Sequence, residues 1–306
     1  MSNLGIAVVG AARWGSNVVR AFASTRGAAL RAVCDLNPEL LARTASAHPG
    51  VRTTPRFEDL LTDPEVSAVA LAVDSPSHHR LARRALEAGR HVLVEKPLAL
   101  TVAHGQELCD VAERTGRVLM VGHLLLYHPA VVRAKRSIDA GELGDIRYIH
   151  SQRVNLGVVR STENAWWSLA PHDLAVALYL FGDAPSSVSA TGACYLQTQR
   201  GIEDVVFGAL TWADGRMAHV HVSWIDPEKR RALTIVGSKG TLTVDGAAPL
   251  AGVDEPLRAE CQHFVDCVRT GERPRSDGAQ GLAVLRILAA GERSMRLGGA
   301  PVPVAP

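Results

Sequence analysis

Aromatic residues are scarce in this chain, with Phe, Trp and Tyr together making up 5% of it. Cysteines are few, and their number, five, is odd. Cys34, Cys109, Cys194, Cys261 and Cys267 form no Cys-x-x-Cys pair. That excludes the usual disulfide frameworks and structural zinc sites and points to buried free thiols in a reducing compartment. Neither sign of charge dominates: 33 Lys plus Arg stand against 31 Asp plus Glu, a net charge of +2. With its arginines scattered, the chain offers no stripe for nucleic acid and no basic surface for a membrane. No apolar run approaches the ~20 residues that a membrane helix needs. Leu4 to Gly10 is apolar but short and leads into a Gly-rich turn instead of a cleavage site. No signal peptide is therefore expected, and the protein reads as soluble and cytoplasmic.

What remains is an ordinary globular composition, 47% hydrophobic and 21% charged, over 306 residues. It excludes disorder, collagen and coiled coil for the chain as a whole, and the length calls for two domains or one large α/β domain.

The first third alternates strand and helix signals. Apolar runs at 5–9, 30–34, 68–73, 91–94 and 118–121 read as buried strands. Helical spacing falls between them at 17–23, 38–47, 78–88 and 103–115, with a short strand at 53–54 and a short helix at 57–61. Strands separated by helices imply a parallel sheet with right-handed crossovers.

After Gly122 the rhythm changes. A helix is predicted at 129–140, a strand at 145–155 and a helix, apolar enough to pack, from Pro171 to 181. Strands follow at 187–195, 205–212, 217–224, 231–236 and 240–244, with an Asp214-Gly215 hairpin signal, then helices at 255–270 and 278–295. Strands running into one another imply an antiparallel sheet. The fold class is thus α/β followed by α+β, with the boundary at Gly122: residues 1–122 form the first domain and 123–306 the second. The Pro-rich tail after Gly298 reads as loosely ordered.

Gly10-Ala-Ala-Arg-Trp-Gly15 follows the first strand and opens the first helix, the position of a dinucleotide-binding fingerprint. Gly10 allows the tight turn and Gly15 close helix packing. The middle glycine is replaced by Ala12, which is tolerated where φ is negative. Arg13 and Trp14 complete the loop, and the helix N-terminus offers N–H groups to a pyrophosphate. Asp35 ends the second strand about 20 residues after the last glycine, where an acid bonds the ribose hydroxyls. A carboxylate there repels a 2′-phosphate, so NAD is favoured over NADP, although Arg13 softens that preference.

Val94-Glu95-Lys96-Pro97 ends the fourth of these strands. Ligands of open α/β sheets bind beyond the carboxyl ends of the strands, which places Lys96 where a substrate belongs. His219 and His221 share one face of a strand without a third ligand, and no metal site is evident.

With GAARWG at the start, Ala-Gly-Arg-His-Val-Leu-Val-Glu-Lys-Pro at 88–97 and Ala-Pro-His-Asp at 170–173, the chain resembles the Gfo/Idh/MocA oxidoreductase family over nearly its whole length. The runs at 260–268 and 276–278 also fit. The resemblance implies an N-terminal Rossmann domain that binds NAD through Gly10, Ala12, Arg13, Trp14, Gly15, Asp35, Ser75, His78, Glu95 and Lys96. It implies a C-terminal α+β domain with an open, mainly antiparallel sheet for substrate binding and assembly into a homodimer or homotetramer. It also implies oxidation or reduction of a sugar, cyclitol or sugar-nucleotide carbon, with Lys96 and His172 catalytic.

The chemistry suits those two residues: an imidazole titrating near pH ~6.5 is matched to taking a hydroxyl proton, and a lysine ammonium polarises the oxygen. Many relatives carry an aspartate four residues before the histidine; here it is Ser168, which brings no negative charge. The segment from Ser151 through Asn164 resembles a subgroup linked to sugar-nucleotide dehydrogenases. Arg153, Asn155 and Arg160 are then pocket groups, the arginines suiting a diphosphate or carboxylate; as strand-edge and loop solubility residues they fit equally well. His123 and Tyr127 either line the cleft or pack. The stretch between 245 and 253 is shorter than in longer relatives, which reduces any specificity it contributes.

Three functions stay open at this point: an NAD-dependent sugar or sugar-nucleotide dehydrogenase, which is favoured; a cyclitol or simple-sugar dehydrogenase; and a non-catalytic NAD or sugar sensor, motivated by Ala12 and Ser168.

Overall fold

The computed structural model describes residues 3–245 and 254–305. The chain divides into two compact units, Met1–Leu124 with Val253–Leu282, and Leu125–Gly252 with Ala283–Pro306.

In the first unit, β1 (Leu4–Val9), β2 (Ala28–Cys34), β3 (Arg52–Thr54), β4 (Ala68–Leu71), β5 (His91–Glu95) and β6 (Leu119–Gly122) form one parallel sheet in the order β3-β2-β1-β4-β5-β6. Helices α1 (Gly15–Ala23), α2 (Pro38–Ala47), α3 (Glu58–Thr62), α4 (Ser75–Glu87) and α5 (Val102–Thr115) supply the crossovers. The strands read as unbroken apolar runs because helices cover both faces of such a sheet. Ile6, Val8, Val69, Val92, Val94 and Met120 are all wholly buried. The strand order reverses between β1 and β4, which sets a crevice at the carboxyl ends of the strands. Helix α8 (Asp254–Thr270) packs along α1, with Phe264 edge-on to Phe22 at 6.3 Å between ring centroids.

The second unit is built on a seven-stranded sheet. Its strands are β7 (Ile146–Leu156), β8 (Ser187–Ala193), β9 (Val205–Thr211), β10 (Met217–Ser223), β11 (Ile225–Gly237), β12 (Thr241–Asp245) and β13 (Val302–Pro303), in the order β12-β11-β7-β10-β9-β8-β13. Every pairing is antiparallel except β7 with β10. Ala218, Val220 and Val222 point into the core while Met217 and His219 are exposed, the alternation of a sheet with one open face. Helix α6 (Pro129–Asp139) and α7 (Ala165–Phe181) belong to this unit. Helix α9 (Gly278–Arg296) starts in the first unit and continues into the second.

Two expectations are corrected. Helix α7 begins at Ala165, not at Pro171, because the Asn164 side chain accepts the Trp167 N–H at 3.1 Å and caps an earlier turn. Pro171 therefore sits inside the helix, at a cost of about 3 kcal/mol that burial of Trp166, Ala170, Leu174 and their neighbours offsets. The tail after Gly298 is not loose: Val302 is buried, and β13 pairs with β8. An edge strand tolerates the prolines on either side of Val302, since their missing donors face outward. The shortened segment expected between 245 and 253 lies, at 246–253, outside the described residues.

Candidate active site

Gly10 follows β1 with φ of 92°, a left-handed conformation that favours glycine. A Cβ there would lie 2.3 Å from the Ala72 carbonyl oxygen, and one on Gly15 would lie 2.0 Å from the Gly10 carbonyl oxygen. Only glycine fits either place. Ala12 is exposed and its φ is not positive, so its methyl is accommodated without strain. The first turn of α1 carries no acidic side chain, which leaves its positive end clear for an anion.

Asp35 follows β2 and ties this loop down. Its Oδ2 accepts the Ala11 N–H at 2.6 Å and its Oδ1 the Asn37 N–H at 2.8 Å. The loop, the helix end and the acid thus come together as a dinucleotide site requires. Ser75 is half-buried at the first turn of α4, and Arg13 is exposed beside the loop.

Glu95 and Lys96 leave β5 at the same edge of the sheet, and the Lys96–Pro97 peptide is cis. Glu95 is half-buried. Its Oε1 accepts the Trp14 indole N–H at 2.5 Å, and its Oε2 the Lys96 backbone N–H at 3.2 Å. Desolvation pushes the Glu95 carboxyl above its ordinary value, and the Trp14 N–H and the Lys96 charge act against it.

His78 was expected at the cofactor; the structure gives it another task. It is 1% exposed, with Nδ1 at 2.7 Å from the Pro97 carbonyl and Nε2 at 3.1 Å from the Val73 carbonyl. Burial lowers its pKa, and the neutral ring, with a single N–H, donates to one of these two carbonyls. His123, just after β6, is equally buried, and its Nδ1 lies 2.6 Å from Gln280 Oε1. Burial lowers its pKa to about 4, and the Lys96 charge adds to the effect, so the imidazole is neutral at physiological pH.

In the second unit, α7 carries Ser168, His172 and Asp173. His172 is half-buried, and Ser168 precedes it by about one helical turn on the same face. Arg153, expected as a pocket group, is instead a buried strut. Its Nε donates to Asp173 Oδ2 at 2.6 Å and its Nη2 to Oδ1 at 3.2 Å, with both side chains at least nine-tenths buried. The pair fastens α7 to β7 at the residue next to His172. Asn155 is half-buried on β7, Tyr127 is buried, and Arg160 is exposed, 4.0 Å from Glu163.

The sequence reading passed over two buried acids. Asp204 is wholly buried; burial pushes its carboxyl up, but N–H donors from Leu196, Trp224 and Tyr195 outweigh that and hold it below its usual range. No local pattern marks it, because its partners come from distant turns. Glu260, on α8, is 1% exposed and its Oε1 has no hydrogen-bond partner. Among the described residues, no three His, Cys, Asp or Glu side chains gather as metal ligands, and no helix is long and apolar enough to cross a membrane.

A parallel sheet ordered 3-2-1-4-5-6, a glycine fingerprint at its switch point and an acid on the next strand define a dinucleotide-dependent enzyme of the Rossmann class. Residues 4–123 match the model of the oxidoreductase family with NAD-binding Rossmann fold, and residues 131–243 match the Gfo/Idh/MocA C-terminal domain. The chain belongs to the Gfo/Idh/MocA family of NAD-binding oxidoreductases.

It is 28% identical over 280 residues to a UDP-N-acetylglucosamine 3-dehydrogenase of Acidithiobacillus ferrooxidans, covering 84% of this chain and 86% of that one. It is 26% identical over 244 residues to the scyllo-inositol 2-dehydrogenase (NAD(+)) of Bacillus subtilis, covering 71% of each. Among solved structures it is similar to the WlbA dehydrogenase of Bordetella pertussis in complex with NADH and UDP-GlcNAcA. The TM-score is 0.88 at 26% identity, covering 100% of this chain and 99% of that one.

Proposed function

We propose that this protein transfers a hydride between NAD and a secondary alcohol or ketone of a sugar or sugar nucleotide. The observation that carries the reading is Lys96, presented at the carboxyl edge of the sheet beside the glycine loop and tied to it through Glu95 and Trp14. Gly10, Ala12, Arg13, Trp14, Gly15, Asp35, Ser75 and Glu95 hold the cofactor, whose bound nicotinamide supplies the hydride acceptor. Lys96 binds the substrate oxygen and lowers the pKa of its hydroxyl. His172 takes the hydroxyl proton in oxidation, and either residue returns it in reduction. Ser168 hydrogen-bonds substrate or His172 without adding charge. His123, held neutral, together with Asn155, Tyr127 and Arg160, shapes the substrate site.

The similarity to a UDP-N-acetylglucosamine 3-dehydrogenase and to WlbA favours a nucleotide sugar as substrate. The similarity to an inositol dehydrogenase supports the second reading, a cyclitol or simple-sugar dehydrogenase. The two separate at Arg160: Arg160→Ala raises KM for a nucleotide sugar more than for a free sugar if the arginine binds the diphosphate. The open sheet face, with Tyr148, Phe207 and Met217 exposed, supports assembly into a homodimer or homotetramer. A cytoplasmic location accords with the five cysteines being free.

The experiment is nicotinamide absorbance during incubation with NAD or NADP and a panel of nucleotide sugars, free sugars and cyclitols, in both directions. Substrate-dependent change in NADH, abolished by Lys96→Met while NADH binding survives, is the expected result. Unchanged turnover in Lys96→Met would remove the lysine from the mechanism. Silence across the panel with NADH bound would leave the sensor.

A further inference from the structure

Helix α8 brings a second carboxyl group to the neighbourhood of the cofactor loop, and the proposed chemistry leaves it unused. Glu260 is 1% exposed, among apolar neighbours that include Leu257, Phe264 and Val265 on its own helix. Its Oε1 meets no hydrogen-bond donor. The charged group that acts on it is Glu95, at the end of β5, and the nearest titratable neighbour on its own helix is Cys261, whose thiol burial pushes up.

Donors are distributed unequally between the two acids. Glu95 receives the Trp14 indole N–H on one oxygen and the Lys96 backbone N–H on the other, and it feels the Lys96 ammonium. A buried carboxylate with neither a donor nor a cation is costly to ionise. The one with donors and a nearby cation keeps its charge, and the one without takes the proton.

We propose that Glu260 carries a proton at neutral pH while Glu95 keeps its charge, so that one buried carboxylate and not two acts at the end of β5. Glu260 is then a positioning residue. It spares the Trp14–Glu95–Lys96 connection a second buried charge. Its burial and its raised pKa, set first by desolvation and then by Glu95, agree with this assignment. Its kinetic consequence rests on the dehydrogenase reading; the protonation itself does not.

The test is infrared difference spectroscopy of the full-length protein at pH 7, wild type against Glu260→Gln, in H2O and D2O, with neither cofactor nor substrate. The expected result is a deuterium-sensitive carbonyl stretch of a neutral carboxylic acid that disappears in Glu260→Gln. Its absence from wild type, or its survival in the variant, overturns the proposal. Glu95→Gln supplies a second arm should Glu260→Gln fail to fold. Removing the like charge lowers the pH at which the Glu260 band is lost, and an unmoved titration overturns the pairing.

If turnover has been established, the pH profile of kcat gives a third arm. Exchanging a neutral acid for a neutral amide keeps kcat at pH 7 within about threefold, against tenfold per 1.36 kcal/mol, and leaves the limb that reports Lys96 in place. A shift of that limb to lower pH would show that Glu260 had been charged. Failure of the dehydrogenase reading would leave the infrared result standing, so the two failures are distinguishable.

Discussion

Trp14 and Glu95 lie 81 positions apart, yet the indole Nε1 of one donates to Oε1 of the other at 2.5 Å. That bond joins the glycine loop after β1 to the end of β5, one residue before Lys96. The glycine loop and the strand that presents the lysine are therefore set by the same carboxylate.

Trp14→Phe keeps the ring but removes the donor. A hydrogen bond to a charged group contributes about 1.5–3 kcal/mol, so urea denaturation is expected to show a loss of that order. Fluorescence titration is expected to show weaker NADH binding. Unchanged stability and affinity would mean that the loop and β5 are held independently of this bond.

The Arg153–Asp173 pair predicts a sign that depends on how it is removed. Arg153→Met or Asp173→Leu alone strands a buried charge and costs about 3–5 kcal/mol. The double variant is expected to recover most of that. Chemical denaturation of the four proteins measures it, and additive losses would show that the pair is not coupled. Because Asp173 adjoins His172, the single variants are also expected to lower kcat.

His123 makes the protein sensitive to acid. Its folded pKa is about 4, below the unfolded value of about 6.5. The unfolded chain therefore binds the proton more readily between those values. The stability it contributes is fully present above about pH 6.5 and is lost as the pH falls toward 4, to a limit of about 3 kcal/mol at 1.36 per unit. His91, lowered to about 4 by burial and then by Arg117, acts in the same direction. Urea midpoints at pH 7.5 and 4.5 are expected to differ less in His123→Gln than in wild type. Equal differences would remove His123 as a cause.

Asp35 predicts cofactor choice. Asp35→Ser removes the carboxylate that repels a 2′-phosphate and weakens the hold on the Ala11 N–H. The ratio of kcat/KM for NADP over NAD is expected to rise at least about tenfold, or 1.4 kcal/mol. A ratio that stays put would assign discrimination to another group, with Arg13 the first to test.

Much of the first unit was legible in the sequence. Parallel strands buried on both faces announce themselves as apolar runs, and Gly10, Gly15 and Asp35 sit at spacings that the dinucleotide-binding turn dictates. Lys96 was legible from its place after a strand. The start of α7 was not, since the cap at Asn164 competes with a proline that equally well begins a helix. Nor was β13: Val302 joins the sheet only because β8 offers it a free edge.

The linear sequence determined, by itself, the strand–helix rhythm, the glycine turn, the acid after β2 and the lysine after β5, because each depends on neighbours a few residues away. Only the tertiary structure decided what the long-range partners are. It turned Arg153 from a candidate ligand into a strut for α7 and buried the His78 ring between two backbone carbonyls. It also joined Trp14 to Glu95 and buried Glu260 without a donor. Those outcomes rest on burial and on hydrogen bonds between residues far apart in the chain, and local pattern carries no record of either.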